Sequence, residues 1–264
     1  MKNPFLALLV LSVFFVLPLA SNAAASVPLS SLQSGDLIRG QSLSSVYYYG
    51  ADGLRYVFPN DKTYFTWYQN FNNVKWISDM DLAAIQIGGN VTYKPGVKMI
   101  KINSDPKVYA VSTGGTLHAL DSEAIAKSLY GATWNKMIDD VADSLFPNYK
   151  IMSPIDLPSQ YSAEAEKKDA VNINNDKNLH PAIVISIENS GYNLPTTTIN
   201  IDTAVRFVNH ASTNQSASEW DGVWGSGTLK PGEQFTRYFR DPGTWMYYSK
   251  YTPKETMTGA LIVK

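Results

Sequence analysis

The sequence predicts a duplicated α+β hairpin-helix module followed by an all-β sandwich. Three observations carry that reading. A hairpin-then-helix pattern recurs in the first half at a spacing of about 62 residues, a polar stretch follows, and the remainder alternates apolar and polar residues in short runs between turn signals. The aromatic content, 16 Tyr, 10 Phe and 6 Trp in 264 residues, is enough to fill cores in both halves.

Taken from the start, Met1-Lys2-Asn3 is a short positive segment and Phe5 to Leu17 is an apolar run. Ser21-Asn22-Ala23 and Ala23-Ala24-Ala25 supply small residues for a signal peptidase, so residues 1–25 read as a cleaved secretory signal. The apolar run falls short of the roughly 20 residues a spanning helix needs. The expected location is therefore secreted or envelope-associated, with no membrane span after cleavage.

The duplicated module covers residues 31–150, as repeats of about 31–93 and 94–150. Val46-Tyr47-Tyr48-Tyr49 and Leu54-Arg55-Tyr56-Val57-Phe58 flank an Asp52-Gly53 turn. Val108-Tyr109-Ala110-Val111 and Thr116-Leu117-His118-Ala119-Leu120 flank a Gly114-Gly115 turn. Leu37-Ile38-Arg39 matches Met99-Ile100-Lys101, while Lys75, Ile77 and Asp79 are matched with Lys136, Ile138 and Asp140 at a spacing of about 61. After each hairpin a helix is expected, capped by Asn60 or Asp61 in the first repeat and by Asp121 in the second. Tyr64, Trp67, Tyr68 and Phe71 fall on one helical face and read as cover for the hairpin. Tyr47 and Tyr49 lie opposite Tyr48, so one set is expected to face outward, which makes Tyr47 and Tyr49 candidate partner or glycan contacts.

Residues 151–179 read as a polar linker, with a short helix over Ala163 to Ala170 as the alternative. From 180 to 264 six runs alternate: Ile183 to Ile187, Thr197 to Ile201, Val205 to Asn209, Phe235 to Phe239, Thr244 to Tyr248 and Ala260 to Val263. Pro231-Gly232 and Asp241-Pro242-Gly243 punctuate them as turns, and the whole reads as a β-sandwich.

Chemistry is constrained first by absence. With no cysteine there is no disulfide, thiolate nucleophile, iron–sulfur cluster or Cys-ligated metal. A net charge of −1 supplies no basic footprint for nucleic acid. No nucleophile elbow, H-E-x-x-H pair, phosphate loop or dinucleotide fingerprint is present, so no enzyme is expected. Asp79/Asp81 and Asp139-Asp140 read as helix caps rather than paired catalytic carboxylates.

Two resemblances add to this. The run Gly35-Asp36-Leu37-Ile38-Arg39, Val46 to Gly53, Arg55 to Asn60 and Gly88 to Gly96 resembles a repeat of exported and surface proteins from candidate-phylum bacteria, which implies an envelope setting and no defined activity. Phe207-Val208-Asn209, Leu229-Lys230-Pro231-Gly232, Pro242-Gly243-Thr244-Trp245-Met246-Tyr247-Tyr248 and Met257-Thr258-Gly259 resemble the framework of plastocyanin-like cupredoxins. That resemblance implies a Greek-key sandwich with copper ligands at positions occupied here by Gln215, Ser249, Thr252 and Met257. A blue-copper centre needs two imidazoles and a thiolate, with Met as a weak axial contact. Only Met257 keeps a ligand's identity, so no cofactor is expected; copper held weakly by His210 with Met257 is the alternative. The expected role is binding or assembly with an envelope component, surface protein or glycan, and Trp220 and Trp224 in the long loop are the candidate contacts.

Overall fold

The computed structural model describes residues 26–253 and 256–264. Residues 1–25, expected to be a secretory signal, lie outside the described residues. The first unit contains β1 (Leu37–Arg39), β2 (Tyr47–Tyr49), β3 (Arg55–Val57), α1 (Asp61–Trp67), β4 (Val74–Trp76), α2 (Asp79–Ala84) and β5 (Ile87–Asn90). The second contains β6 (Met99–Ile102), β7 (Asp105–Ser112), β8 (Thr116–Leu120), α3 (Glu123–Tyr130), β9 (Ile138–Val141) and β10 (Lys150–Ile155). Then come α4 (Ala163–Asp169) and α5 (Ile173–Lys177). The last part holds β11 (Ile183–Glu188), β12 (Gly191–Tyr192), β13 (Thr196–Ile199), β14 (Thr203–Asn209), β15 (Ser218–Glu219), β16 (Gln234–Phe239), β17 (Gly243–Tyr248) and β18 (Thr258–Val263).

The two N-terminal sheets share one topology. Their orders are β4-β1-β2-β3-β5 and β9-β6-β7-β8-β10. In each, the central strand pairs antiparallel with both neighbours and each outer strand pairs parallel. Register corrects the second half of the repeat alignment. Leu37 lies opposite Val74 and Met99 opposite Ile138, so Ile138 takes the place of Val74, not of Ile77. Buried Ile77 corresponds instead to buried Val141. The spacing changes because the second unit carries one more residue in its helix and one more between helix and strand, where Trp134–Met137 makes a 3-10 turn.

This alignment pairs an ion pair with its mirror. Asp36 before β1 binds Lys75 on β4 at 2.7 Å, whereas Lys98 before β6 faces Asp139 on β9 at 3.5 Å. One step along, Arg39 stacks on Trp76 at 4.0 Å, and the equivalent Lys101 binds Asp140 at 2.5 Å. Asp139 and Asp140 are thus strand residues held by lysines, not helix caps. The caps are Asn60, Ser78 and Ser122, whose side chains accept from Thr63, Asp81 and Ile125 amides. Ser122 therefore takes the role expected of Asp121. Helix α1 stops at Trp67, yet Phe71 returns to stack on Tyr64 at 4.3 Å.

Residues 151–179, expected as a linker, are folded. Lys150–Ile155 is the outer strand of the second sheet, which therefore extends past 150, and α4 occupies the anticipated Ala163 region. Four residues anchor the segment: Ile155, Tyr161, Ala170 and Ile173 are buried, while Ile151, Met152, Leu157 and Val171 stay exposed. Tyr161 donates to the Val111 carbonyl at 2.9 Å.

The sandwich has sheets β12-β11-β14-β16 and β13-β18-β17-β15. Its core holds Ile185, Val205, Phe207, Tyr247 and Leu261, from the alternating positions the sequence pattern marks. Edge strand β16 is not left open. Its Thr236 amide donates to the Gln86 side chain of the first unit. Beside it, Tyr238 donates to Asp52 Oδ2 at 2.6 Å and Arg206 to the Asp52 carbonyl at 2.6 Å. Tyr56 donates to the same Oδ2 at 2.5 Å, and the Leu54 amide to Oδ1 at 3.1 Å. Asp52 is 0% exposed, so a buried carboxylate in the first hairpin turn fastens that unit to the sandwich.

Candidate functional site

The loops at one end of the sandwich bring together most of the positions that the cupredoxin resemblance assigns to copper. Gln215 sits on the chain between β14 and β15 and is held by paired backbone bonds with Leu229, at 2.9 and 2.8 Å. Ser249 follows β17, and Met257 precedes β18; the Ser249 amide donates to the Met257 carbonyl at 3.2 Å. Asn209 organises the approach: buried at the end of β14, it donates to the Thr213 and Leu229 carbonyls and accepts from the Ala211 amide. Gln215, Ser249 and Met257 are all buried.

Between these residues is a closed set of hydrogen bonds. The Ser249 hydroxyl donates to Gln215 Oε1 at 2.7 Å and accepts from the Ser216 amide at 3.2 Å. Gln215 Nε2 donates to the Thr213 hydroxyl at 3.2 Å. The Ser216 hydroxyl accepts from the Lys250 amide at 2.9 Å and lies 3.2 Å from the Ser218 hydroxyl. Thr252 turns back on the Ser249 carbonyl at 3.3 Å. Met257 packs into the sandwich core. Burial raises the Tyr192 phenol well above its ordinary range, and it donates to the Ser216 carbonyl at 2.6 Å.

These residues do not fit copper. The donors converging here are a neutral amide oxygen and a neutral hydroxyl, both engaged with one another, and a thioether; a type 1 centre relies on imidazoles and a thiolate. His210 is exposed, and its backbone amide donates to the Ile187 carbonyl at 2.9 Å. Among the described residues no group of three His, Asp or Glu converges. His118 and His180 are engaged with the Ser153 carbonyl and the Asn178 side chain. The supporting residues Thr213, Ser216 and Ser218 went unmarked in the sequence; the polar Ser216-Ala217-Ser218 run was their one signal.

The aromatic candidates divide. Trp220 is half-buried, its amide donating to the Met246 carbonyl at 2.9 Å and its ring meeting Tyr248 edge-on at 5.7 Å. Trp224 is not a loop contact. It is 6% exposed and wedged among Phe207, Phe239 and Tyr247, because the loop folds inward through the Glu219 amide and the Trp224 carbonyl. Tyr47 is also core, at 8% exposed, with Tyr49 half-buried beside it. The expectation of one open hairpin face fails because α2 and the segment around Val27 cover the side opposite α1. Two grooves open to solvent on that unit. One, of about 470 Å³, is lined by Asp36, Tyr68, Asn72, Asn73 and Lys75. The other, of about 270 Å³, lies between Ser44, Asn60, Asp61 and Phe71.

No family model matches the chain. No curated protein matches it in sequence. Among solved structures it is similar to a purple cupredoxin from Nitrosopumilus maritimus, at 22% identity over 31% of this chain and 99% of that one, with a TM-score of 0.29. A reduced variant of amicyanin matches at 23% identity over 31% of this chain and 82% of that one, with a TM-score of 0.29. A copper-containing nitrite reductase from Thermus scotoductus matches at 20% identity over 31% of this chain and 22% of that one, again with a TM-score of 0.29.

Proposed function

We propose that this is a non-catalytic exported or envelope-associated protein with a binding or assembly role, built from a duplicated hairpin-helix unit and a cupredoxin-like sandwich that holds no type 1 copper. The two units are read as one duplicated element because their sheets share strand order, pairing senses and the Asp36/Lys75 and Lys98/Asp139 positions. The observation that carries the loss of copper is the Ser249–Gln215 hydrogen bond: two of the ligand positions satisfy each other. A serine hydroxyl stays neutral at physiological pH and is a hard donor, so it replaces neither the charge nor the softness of a thiolate. The apolar leader of residues 1–25 supports export.

Metal analysis and visible absorbance of copper-treated, purified protein test the reading. The expectation is no stoichiometric copper after desalting and no charge-transfer band. One tightly held copper per chain, lost on Met257→Ala or His210→Ala, overturns it in favour of a copper-handling protein. Binding to isolated envelope, compared between the native chain and Trp220→Ala, tests the partner surface on the sandwich; a parallel Asn72→Asp, Asn73→Asp variant tests the larger groove as a glycan site.

A further inference from the structure

The larger groove of the first unit occupies a place that the second unit bridges. With Val74 equivalent to Ile138 and Leu37 to Met99, Asn72 corresponds to Lys136, Lys75 to Asp139 and Asp36 to Lys98. In the second unit the long Lys98 side chain crosses from the sheet to the loop. Its Nζ donates to the Lys136 carbonyl at 3.2 Å and lies 3.5 Å from Asp139. In the first unit the lysine stands on the other strand. The short Asp36 side chain binds Lys75 at 2.7 Å and accepts from the Gln33 amide at 2.8 Å, so it does not tie the loop down. A groove of about 470 Å³ opens there, within the roughly 300–1,000 Å³ range of small-ligand clefts.

The loop that forms its rim is held in place. The Tyr64 hydroxyl donates to the Asn70 carbonyl at 2.8 Å, the Asn72 amide to Asn70 Oδ1 at 2.9 Å and the Val74 amide to the Phe71 carbonyl at 3.1 Å. None of these bonds uses the carboxamide of Asn72 or Asn73, and both residues are exposed. A carboxamide offers N–H donors and an acceptor oxygen, which suits a hydroxyl that both donates and accepts. Tyr68 supplies an aromatic wall, its ring 6.0 Å from Phe58 and 5.3 Å from Tyr64. The electron-rich face of such a ring attracts C–H groups. Because Asp36 and Lys75 neutralise each other, the charged groups of the groove favour neither an anion nor a cation.

We propose, resting on the binding role above, that this groove seats an uncharged saccharide: a sugar ring lies against Tyr68, its hydroxyls pair with the Asn72 and Asn73 carboxamides, and the Asp36–Lys75 pair supplies a further acceptor and donor. A rim already ordered before binding loses little freedom when the ligand arrives. The second unit, with Lys98 across the equivalent place, is not expected to take one.

NMR titration of the native chain with chitotriose, cellotriose and mannotriose tests this, each carried to roughly 10 mM so that a Kd near 1 mM approaches saturation. At least one is expected to give saturable shifts of the Asn72 and Asn73 side-chain amides. The double exchange Asp36→Lys, Lys75→Asp keeps the ion pair but copies the second unit, and is expected to weaken that binding roughly tenfold or more. Asn72→Ala with Asn73→Ala is expected to weaken it roughly fivefold or more with Tm unchanged. No saturable shift at these amides with any of the three, shifts confined to other residues, or native affinity in the Asn72/Asn73 variant overturns the proposal. So does tri-galacturonate binding as tightly as the best uncharged probe. Should the exchanged pair fail to fold, the exposed Asn72/Asn73 variant still decides. Retention of the native chain on isolated envelope without any trisaccharide binding strikes the groove alone, whereas loss of both strikes the binding role as well.

Discussion

The contact between the first unit and the sandwich turns on Asp52, and removing one hydroxyl tests it. Tyr238→Phe deletes the 2.6 Å O–H···O bond to Asp52 Oδ2 and leaves the ring in place. Burial, then the neighbouring carboxylate, holds the Tyr238 phenol well above its usual range, and Tyr56 is raised for the same two reasons. Both phenols are therefore donors at neutral pH. A hydrogen bond to a charged group contributes about 1.5–3 kcal/mol. Tyr238 is only half-buried and water can replace part of the bond, so the lower half of that range, about 2 kcal/mol, is expected. Urea unfolding, read by tryptophan fluorescence, measures this in the native chain and in an Asp52→Asn background. In the latter the carboxylate is gone, and Tyr238→Phe is expected to cost about 0.5 kcal/mol or less, for a coupling of about 1.5 kcal/mol. A coupling near zero would refute the reasoning, because it would mean that Tyr238 and Asp52 are not bonded in solution.

Two further substitutions separate docking from core packing. Gly53 has φ +75°, and a Cβ there would collide with the Arg206 guanidinium that reaches the Asp52 carbonyl. Gly53→Ala is expected to cost about 2–4 kcal/mol, from left-handed strain plus the displaced charged bond, and to raise protease sensitivity between the first unit and the sandwich; unchanged stability would count against the docked arrangement. Trp224→Ala empties a buried site packed by three aromatic rings and is expected to destabilise by about 3–5 kcal/mol, while Trp220→Ala costs about 1 kcal/mol or less, both read by the same urea unfolding. Equal effects would remove the distinction between a core and a surface tryptophan.

The sandwich was the most legible part of the sequence. Six of its strands follow the alternating runs to within two residues at their ends, since β-branched and aromatic residues between Pro-Gly and Asp-Pro-Gly turns leave little choice of pattern. The cupredoxin resemblance singled out Gln215 and Ser249, and in the fold their side chains meet. That they bond to each other, supported by Ser216, was not. A hydroxyl has no preferred partner until the loops place one within reach.

In the first half, hairpins and helices could be read, but their faces could not. Tyr47 and Tyr49 read as an outward set because a two-stranded hairpin offers two sides. The fold closes both, one with α1 and Ile173 and the other with α2 and Ile85. Polar composition was a poor guide to 151–179, because α4 and α5 hold their place with few apolar anchors and a buried aspartate.

By itself the sequence determined the local chemistry: alternation set the strands, glycine set the turns, and the missing cysteine and imidazoles emptied the copper positions of their donors. Tertiary structure alone decided what those residues meet. Trp224 became core, Asp52 a docking pin and Asp176 a buried acceptor because burial and partners depend on distant segments, such as Tyr238 for Asp52 and Gly114 for Asp176. The periodicity of a strand is a property of neighbours in the chain, whereas the value of a buried charge is set by whichever atoms the folded chain brings to it.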